Sequence, residues 1–277
     1  MFKMKHNDIT IIVLLYKTPK KLIKNLVNYK SFKISILDQS GDYKLKKKLI
    51  KILPNIISYK VRNTNKGFAK AQNELIRNVK TSYFFSTQAD VIIKKNSIIS
   101  LKKTLKKNFN NLISVPCFDN LKIGKKFIFT NEMIGSAFMA KTNIFKKFGM
   151  FDENFFFYWE DIDLAYRISK SKYSIVKDLN SRAMHIGGKS TYNGIKENYI
   201  RQSNFRCGEY FFLYKNKKLR YIKFTREIIL NILRFFLNTL FLRVNKMQTN
   251  IFNLVGIIKF IIIVIINKFE IISSKKF

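Results

Sequence analysis

The first hundred residues alternate between short β-branched runs and segments with helical periodicity, and few architectures accept that pattern. Ile9–Tyr16 (ITIIVLLY) is an apolar, β-branched-rich run broken only by Thr10, as in a strand buried on both faces. Pro19 suits the start of a helix running to about Tyr29. Lys33–Leu37, Ile56–Val61 and Tyr83–Ser86 read as three further strands. Tyr43–Leu53, stopped by Pro54, and Gly67–Val79 read as the helices between them. This β-α-β-α-β-α-β order predicts a parallel, doubly wound sheet with right-handed crossovers. Such sheets bind ligands beyond the carboxyl ends of their strands.

The residues just after each strand are therefore the ones to inspect. Tyr16 to Thr18 follow the first, and Asp38, Gln39 and Ser40 the second. Asn63, Asn65 and Gly67 follow the third, and Gln88 and Asp90 the fourth. Turn chemistry explains Asp38-Gln-Ser-Gly equally well, and Asn65-Lys-Gly-Phe also suits a plain helix N-terminus. Four such coincidences favour a ligand site at this edge.

The carboxylates point the same way. The chain carries a formal charge of +36 and only 17 Asp and Glu, yet five of these fall within twelve positions: Asp152, Glu153, Glu160, Asp161 and Asp163. Acidic residues are favoured in a helix's first turn, and Asp163 with Arg167 could form a simple i,i+4 pair. The competing reading is chemical: a general base, a metal ligand or an acceptor of sugar hydroxyls.

The second half of the chain is less regular. Met133–Ala140 looks like a strand, Thr142–Phe148 a short helix and Trp159–Lys170 a longer one, with strand-like Tyr173–Val176 and Ala183–Ile186 after it. After Gly194 the chain turns helical, aromatic and basic, over Ile195–Lys215, Tyr221–Asn245 and Ile251–Ile272. From Arg201 to Phe277 there are 15 Lys/Arg against 3 Asp/Glu, a formal +12. Ile251–Asn267 is nearly all apolar around Lys259, and shorter than the roughly 20 residues that span a bilayer. It reads as a helix lying in an anionic membrane surface, or else packed on the core. Basicity alone would also suit a nucleic-acid binder, but a carboxylate-rich site argues against nucleic acid as partner. Cys117 and Cys207, far apart, offer neither a metal spacing nor a disulfide framework and fit a reducing compartment. The N-terminal apolar run is too short for a secretory signal.

Taken in order, LDQS (37–40), NTNKGFAKAQN (63–73), QADV (88–91), GMFDENFFFYWEDIDLAYR (149–167) and HIGGKS (185–190) resemble the inverting family 2 glycosyltransferases, in particular their rhamnosyltransferase-like and galactofuranosyltransferase-like branch. The resemblance runs from about Ile9 to Thr191. It implies an α/β fold of GT-A type: a Rossmann-like, mostly parallel sheet flanked by helices, here with a basic and apolar C-terminal helical extension. Residues 1–110 would form the nucleotide-sugar half, 111–194 the acceptor and catalytic half, and 195–277 a membrane-associating extension.

The resemblance also assigns roles. Tyr16 would line the base pocket and Asp38 read the nucleobase edge or ribose. Asn65 and Gly67 would pass close to the nucleotide, with Gln88 near the ribose or donor sugar and Gly135 facing the donor sugar. Asp90 and His185 would hold Mn2+ or Mg2+ on the diphosphate. Relatives carry D-x-D or N-x-D where this chain has Gln88-Ala-Asp90, which leaves one carboxylate. Asp161 would be the general base, with Glu160 beside it as a possible acceptor contact. Read from the residues rather than the resemblance, Trp159, Tyr158 and Phe155–Phe157 offer an apolar platform for a sugar ring or, for the phenylalanines, simple core packing, and Lys189 and Ser190 follow His185 within reach of phosphate. Asn73 reads as structural, and Asp163 as the partner of Arg167. The implied donor is a dTDP- or UDP-sugar, and the acceptor a glycan or lipid-linked glycan at the cytoplasmic face of the membrane. A catalytically degenerate nucleotide-binding protein of the same fold is the alternative.

Overall fold

The structure, a computed structural model, describes residues 7–118, 126–186 and 194–274, with side chains to residue 267. The chain divides into two compact units, Met1–Glu153 with Glu160–Tyr192, and Asn154–Trp159 with Asn193–Phe277.

The first unit runs β1 (Ile9–Leu15), α1 (Lys20–Ile23), β2 (Lys33–Asp38), α2 (Tyr43–Ile52), β3 (Ile56–Val61), α3 (Phe68–Asn78) and β4 (Tyr83–Thr87). It continues with β5 (Val91–Ile93), α4 (Lys95–Lys106), β6 (Asn111–Cys117), β7 (Phe127–Thr130), β8 (Ala137–Lys141), α5 (Thr142–Phe148), α6 (Glu160–Ser169) and β9 (Ser174–His185). The sheet order is β3-β2-β1-β4-β8-β6-β9-β5, with β7 also on β9. The first four strands are parallel to one another, as the alternation demands. β8 joins antiparallel to both β4 and β6, and β9 lies parallel to β6.

Burial explains this order. Ile9, Ile11, Ile12 and Val13 of β1 are fully buried on both faces, which only a central strand allows. β3, at the edge, leaves Ser58 and Lys60 exposed, and such polar residues blunt an open edge. α3 seals one face through Phe68, Ala69, Ala71, Gln72, Leu75 and Ile76, a helical stripe. A Phe68–Phe151–Phe138–Phe145–Phe84 chain of aromatic contacts, with centroids 5.2–6.0 Å apart, ties α3, β4, β8 and α5 to the segment entering the acidic run. Each such pair contributes about 0.5–1.5 kcal/mol beyond area burial.

Several boundaries differ from the sequence reading. The first helix is a single α-turn followed by a 3-10 stretch, Lys24–Tyr29. The strand expected from Met133 begins only at Ala137, because residues 134–137 close a turn through Ala137 N–H to Ile134 carbonyl (3.2 Å). The strand-like pieces at 173–176 and 183–186 are one twelve-residue strand, β9. α4 and β6 had no counterpart in the sequence reading.

The second unit holds α7 (Ile195–Lys215), α8 (Tyr221–Leu240) and α9 (Val244–Ser274), with the strap Asn154–Trp159 packed on α7. Gly256 lets α9 approach α7 closely, since a Cβ there would sit 2.5 Å from the Ser203 carbonyl oxygen. Tyr210, Phe224 and Phe260 join the three helices with centroids 4.7–5.9 Å apart. α9 corrects the length argument. It starts seven residues before Ile251 and spans 31 residues. Its Val244–Asn267 stretch, with a mean hydropathy of 2.3 over its most apolar 18 residues, is the one helix among the described residues long and apolar enough to cross a membrane.

Candidate active site

Parallel pairing brings the strand exits to one edge of the first unit. Leu15 of β1 lies opposite Asp38 of β2, so Tyr16 and the Asp38 turn emerge together. Tyr16 is partly exposed there, ahead of Lys17, whose φ is 46°. Asp38 is fully buried. Its Oδ1 accepts from the Ser40 N–H (2.8 Å) and hydroxyl, and its Oδ2 faces the Tyr59 hydroxyl at 3.5 Å. Burial raises its pKa, and the Ser40 bonds oppose that. Asp38 thus builds its own turn before it can touch anything else.

Gln39, to which sequence reading gives no role, organises the neighbouring loop. Its amide donates to Asn65 Oδ1 (3.2 Å) and the Gly67 carbonyl (3.3 Å), and its oxygen accepts from Lys66 N–H (2.8 Å). Asn65 Oδ1 also accepts from Gly67 N–H (2.9 Å). Gly67, at φ 84° and ψ 174°, occupies a region essentially closed to other residues, so the loop that starts α3 requires glycine. The only signal for Gln39 in the sequence is its place one residue past a strand.

Gln88-Ala-Asp90 forms a tight turn between β4 and β5, closed by Val91 N–H to Gln88 carbonyl (3.2 Å). Asn25 pins it by donating to the Ala89 carbonyl (2.8 Å), another contribution the sequence does not advertise. Gln88 is partly exposed, while Asp90 is fully buried. β5 pairs antiparallel with β9, Val91 opposite His185, and Ile186 N–H donates to the Asp90 carbonyl (3.0 Å). That ladder sets His185 Nε2 3.4 Å from Asp90 Oδ2, with the imidazole 30% exposed. Among the described residues neither carboxylate oxygen of Asp90 has a hydrogen-bond partner. Buried acceptors are seldom left so, and a carboxylate beside an accessible imidazole is a pair of groups whose chemistry suits a divalent cation.

Mn2+ or Mg2+ fits these residues as a shared ion. Among the described residues no group of three or more His, Cys, Asp or Glu side chains gathers to hold a metal alone. One carboxylate and one imidazole leave most coordination positions to phosphate oxygens and water, which is how Mg2+-type sites on phosphorylated substrates are built.

The acidic run separates into parts with different work. Glu153 bridges Arg77 and the Asn73 amide (3.0 Å), and Asn73 also bonds the Phe151 backbone at both its N–H (3.1 Å) and carbonyl (2.9 Å). Asn73 is a clamp, as expected. Asp163, fully buried, takes the Arg167 Nε–H (2.8 Å), and Arg167 reaches the Met150 carbonyl (2.6 Å). Asp152 is partly buried ahead of them, and Glu160 and Asp161 stand side by side at the start of α6. Asp161 Oδ2 accepts from Gly135 N–H (3.1 Å) and its Oδ1 from Ile162 N–H (2.9 Å). A Cβ on Gly135 would meet Asp161 Oδ2 and the Phe68 ring at an ordinary 3.5 Å, so it is the Gly135 N–H, not the missing side chain, that holds this carboxylate. Burial pushes the Asp161 pKa up, against the backbone donors. Glu160 is 5% exposed with Oε2 unpartnered among the described residues, and burial followed by the Asp161 charge pushes its pKa well up. Burial thus raises the proton affinity of both adjacent carboxyls, and the charge of Asp161 adds to it at Glu160.

Tyr158 (φ 70°) and Trp159 (φ 71°) precede Glu160 with two successive left-handed residues, costing about 1–3 kcal/mol each. Trp159 packs within the second unit, on Gly208 and on Phe205 and Phe212 at 5.7 and 5.5 Å. Phe155, 2% exposed against Phe211 at 5.1 Å, is core rather than platform. Lys189 and Ser190 lie outside the described residues.

No protein-family model and no curated sequence matches the chain. Solved structures do resemble it in fold. The crystal structure of GalNAc-T7 with UDP, GalNAc and Mn2+ superposes with a TM-score of 0.57 at 13% identity, over 75% of this chain and 50% of that one. The Pyrobaculum calidifontis mannosyltransferase PcManGT with GDP-Man and Mn2+ gives 0.59 at 14% identity, over 77% and 65%. The chain thus spans between half and two thirds of these proteins' lengths. The fold is the glycosyltransferase GT-A type.

Proposed function

We propose that this chain is an inverting glycosyltransferase that moves a sugar from a nucleotide-diphosphate donor to a hydroxyl acceptor. The observation that carries the reading is the buried Asp90 carboxylate, unpartnered among the described residues beside His185 at the carboxyl edge of a GT-A sheet. The two solved structures of like fold were determined with UDP or GDP-Man and Mn2+, which supports a nucleotide sugar and a divalent ion here.

The exit loops around Tyr16, Asp38, Asn65 and Gly67 hold the nucleotide, with the glycine permitting close backbone approach. Gln88 and Gly135 face the donor sugar. Asp90 and His185 hold Mn2+ or Mg2+, which when bound offsets charge building on the departing diphosphate. Asp161 takes the proton of the attacking acceptor hydroxyl. Its raised proton affinity suits a base, and the Gly135 and Ile162 N–H groups fix its direction. Glu160, held neutral, can donate a hydrogen bond to the acceptor. Order and spacing of the sequence motifs favour the rhamnosyltransferase-like branch, a dTDP- or UDP-sugar and a glycan or lipid-linked acceptor. Exposed apolar residues on α8 and α9, including Leu233, Phe236, Leu237 and Leu240, together with the basic charge after Arg201, favour attachment at the cytoplasmic face of a membrane.

The test is thermal stability against UDP, dTDP, GDP and CMP with and without Mn2+, followed by transfer assays on Asp161→Asn. One nucleotide diphosphate should stabilise the protein in a metal-dependent way. Asp161→Asn should keep that shift while losing about 10²–10⁴-fold in transfer rate. Full activity in that variant removes Asp161 from the base role.

A further inference from the structure

The second unit contains an open cavity of about 420 Å3, within the range of small-molecule sites. Phe155, Phe211, Gly208, Ile262 and Ile263 form much of its wall, and among the described residues Lys259 is the one charged residue lining it. Lys259 is half-buried in the middle of the most apolar helix of the chain. Its Nζ donates to Ser203 Oγ (2.9 Å) and stands 4.9 Å from the Tyr199 ring centroid. Ser203 in turn donates to the Tyr199 carbonyl (2.6 Å). Among the described residues no carboxylate pairs with Lys259. An ammonium in an apolar wall with only neutral partners has unfavourable solvation, and an anion placed against it would recover that energy.

The wall does not stop at the cavity. Ile262, which lines it, belongs to an i,i+4 stripe with Ile258 and Ile266, exposed by 49%, 55% and 50% respectively. An apolar chain seated in the cavity can therefore continue along the α9 surface.

We propose that this cavity binds a single-chain amphiphile with an anionic head, the head on Lys259 and the chain over Phe155, Phe211, Ile262 and Ile263. A neutral lipid would leave the ammonium unanswered, and a bare anion would leave the apolar wall wet. The site stands independently of sugar transfer, because its ligand is recognised within the second unit alone.

The chain's sole tryptophan, Trp159, reports on this site: a Cβ on the cavity residue Gly208 would lie 3.0 Å from its Cδ1. The full chain, held in a neutral maltoside detergent, is titrated by Trp fluorescence with decyl phosphate, decanoate, decanol and inorganic phosphate. Either anionic amphiphile should bind about tenfold or more tighter than decanol, the gain of a charge-assisted hydrogen bond. Whichever of the two binds tighter identifies the head as phosphate or carboxylate. Inorganic phosphate at the same concentrations should give no response. Lys259→Gln, with an unchanged circular dichroism spectrum, should erase the anionic preference. Ile263→Phe should weaken every chain-bearing ligand. The proposal is overturned if decanol binds as tightly as the anions, if the preference survives Lys259→Gln, if inorganic phosphate alone reproduces the signal, or if Ile263→Phe binds like the parent. None of these results bears on nucleotide binding by the first unit.

Discussion

Replacing Asp90 by Asn should strengthen the protein without ligand and disable it with ligand. In the ligand-free chain Asp90 is fully buried and both its oxygens lack hydrogen-bond partners among the described residues. His185 Nε2 stands 3.4 Å from Oδ2 without completing a hydrogen bond. A buried polar group left unsatisfied costs about 1–3 kcal/mol, and more when it is charged. The amide of Asn fills the same space without the charge, and its oxygen can still face His185. A gain of about 1–2 kcal/mol is expected, which for a chain of this size raises Tm by a few degrees. With ligand the sign reverses. A nucleotide diphosphate and Mn2+ at about a hundred times Kd should stabilise the parent by roughly 2.7 kcal/mol, and Asp90→Asn should lose most of that shift. Differential scanning fluorimetry on both proteins, with and without ligand, reads all four values. A less stable ligand-free variant that keeps the full metal-dependent shift would refute the reasoning, because Asp90 would then be a structural residue with partners of its own.

Glu160 should make the fold sensitive to pH. Its pKa is raised well above the ordinary 4.5, so its contribution to stability is complete below the unfolded value and is lost as pH rises through the folded one. Glu160→Gln should therefore gain stability relative to the parent as pH climbs from about 4.5 to 8, as read by urea unfolding; a constant difference would show that Glu160 is not held neutral. Gly67→Ala, forced into φ 84° and ψ 174°, should cost about 1–3 kcal/mol and weaken nucleotide affinity by disturbing the Asn65–Gln39 loop, checked by urea unfolding and calorimetry. Removing the residues after Leu219 should abolish sedimentation with anionic liposomes, and undiminished sedimentation would move the membrane contact elsewhere.

Most of the parallel half of the sheet was legible in the sequence. Local patterns mark it: β1 is apolar at every position but Thr10 because it is buried on both faces, and Pro19, Pro54 and Gly67 mark where helices begin or strands must follow. The residue types of the candidate site were equally legible, because strand exits in such a sheet are a known address. α4 carries a stripe at helical spacing, Ile98, Leu101 and Leu105, that is present in the sequence; β6 and the true extent of β9 were not legible, because these strands pair with partners distant in sequence.

The amino-acid sequence by itself determined the βα alternation, the list of carboxylates worth watching and the basic, apolar character of the C-terminal helices. Only the tertiary structure decided which of those carboxylates are spent. Asp163 goes to Arg167 and Glu153 to Arg77 and Asn73, while Asp161 is turned to the Gly135 backbone. Asp90 meets His185 across 95 positions because β5 and β9 pair antiparallel, with Val91 opposite His185. A sequence states which groups exist. Which of them are neutralised, and which are left buried with nothing to bind, depends on strand register and burial, and these arise only once segments far apart in the chain have packed together.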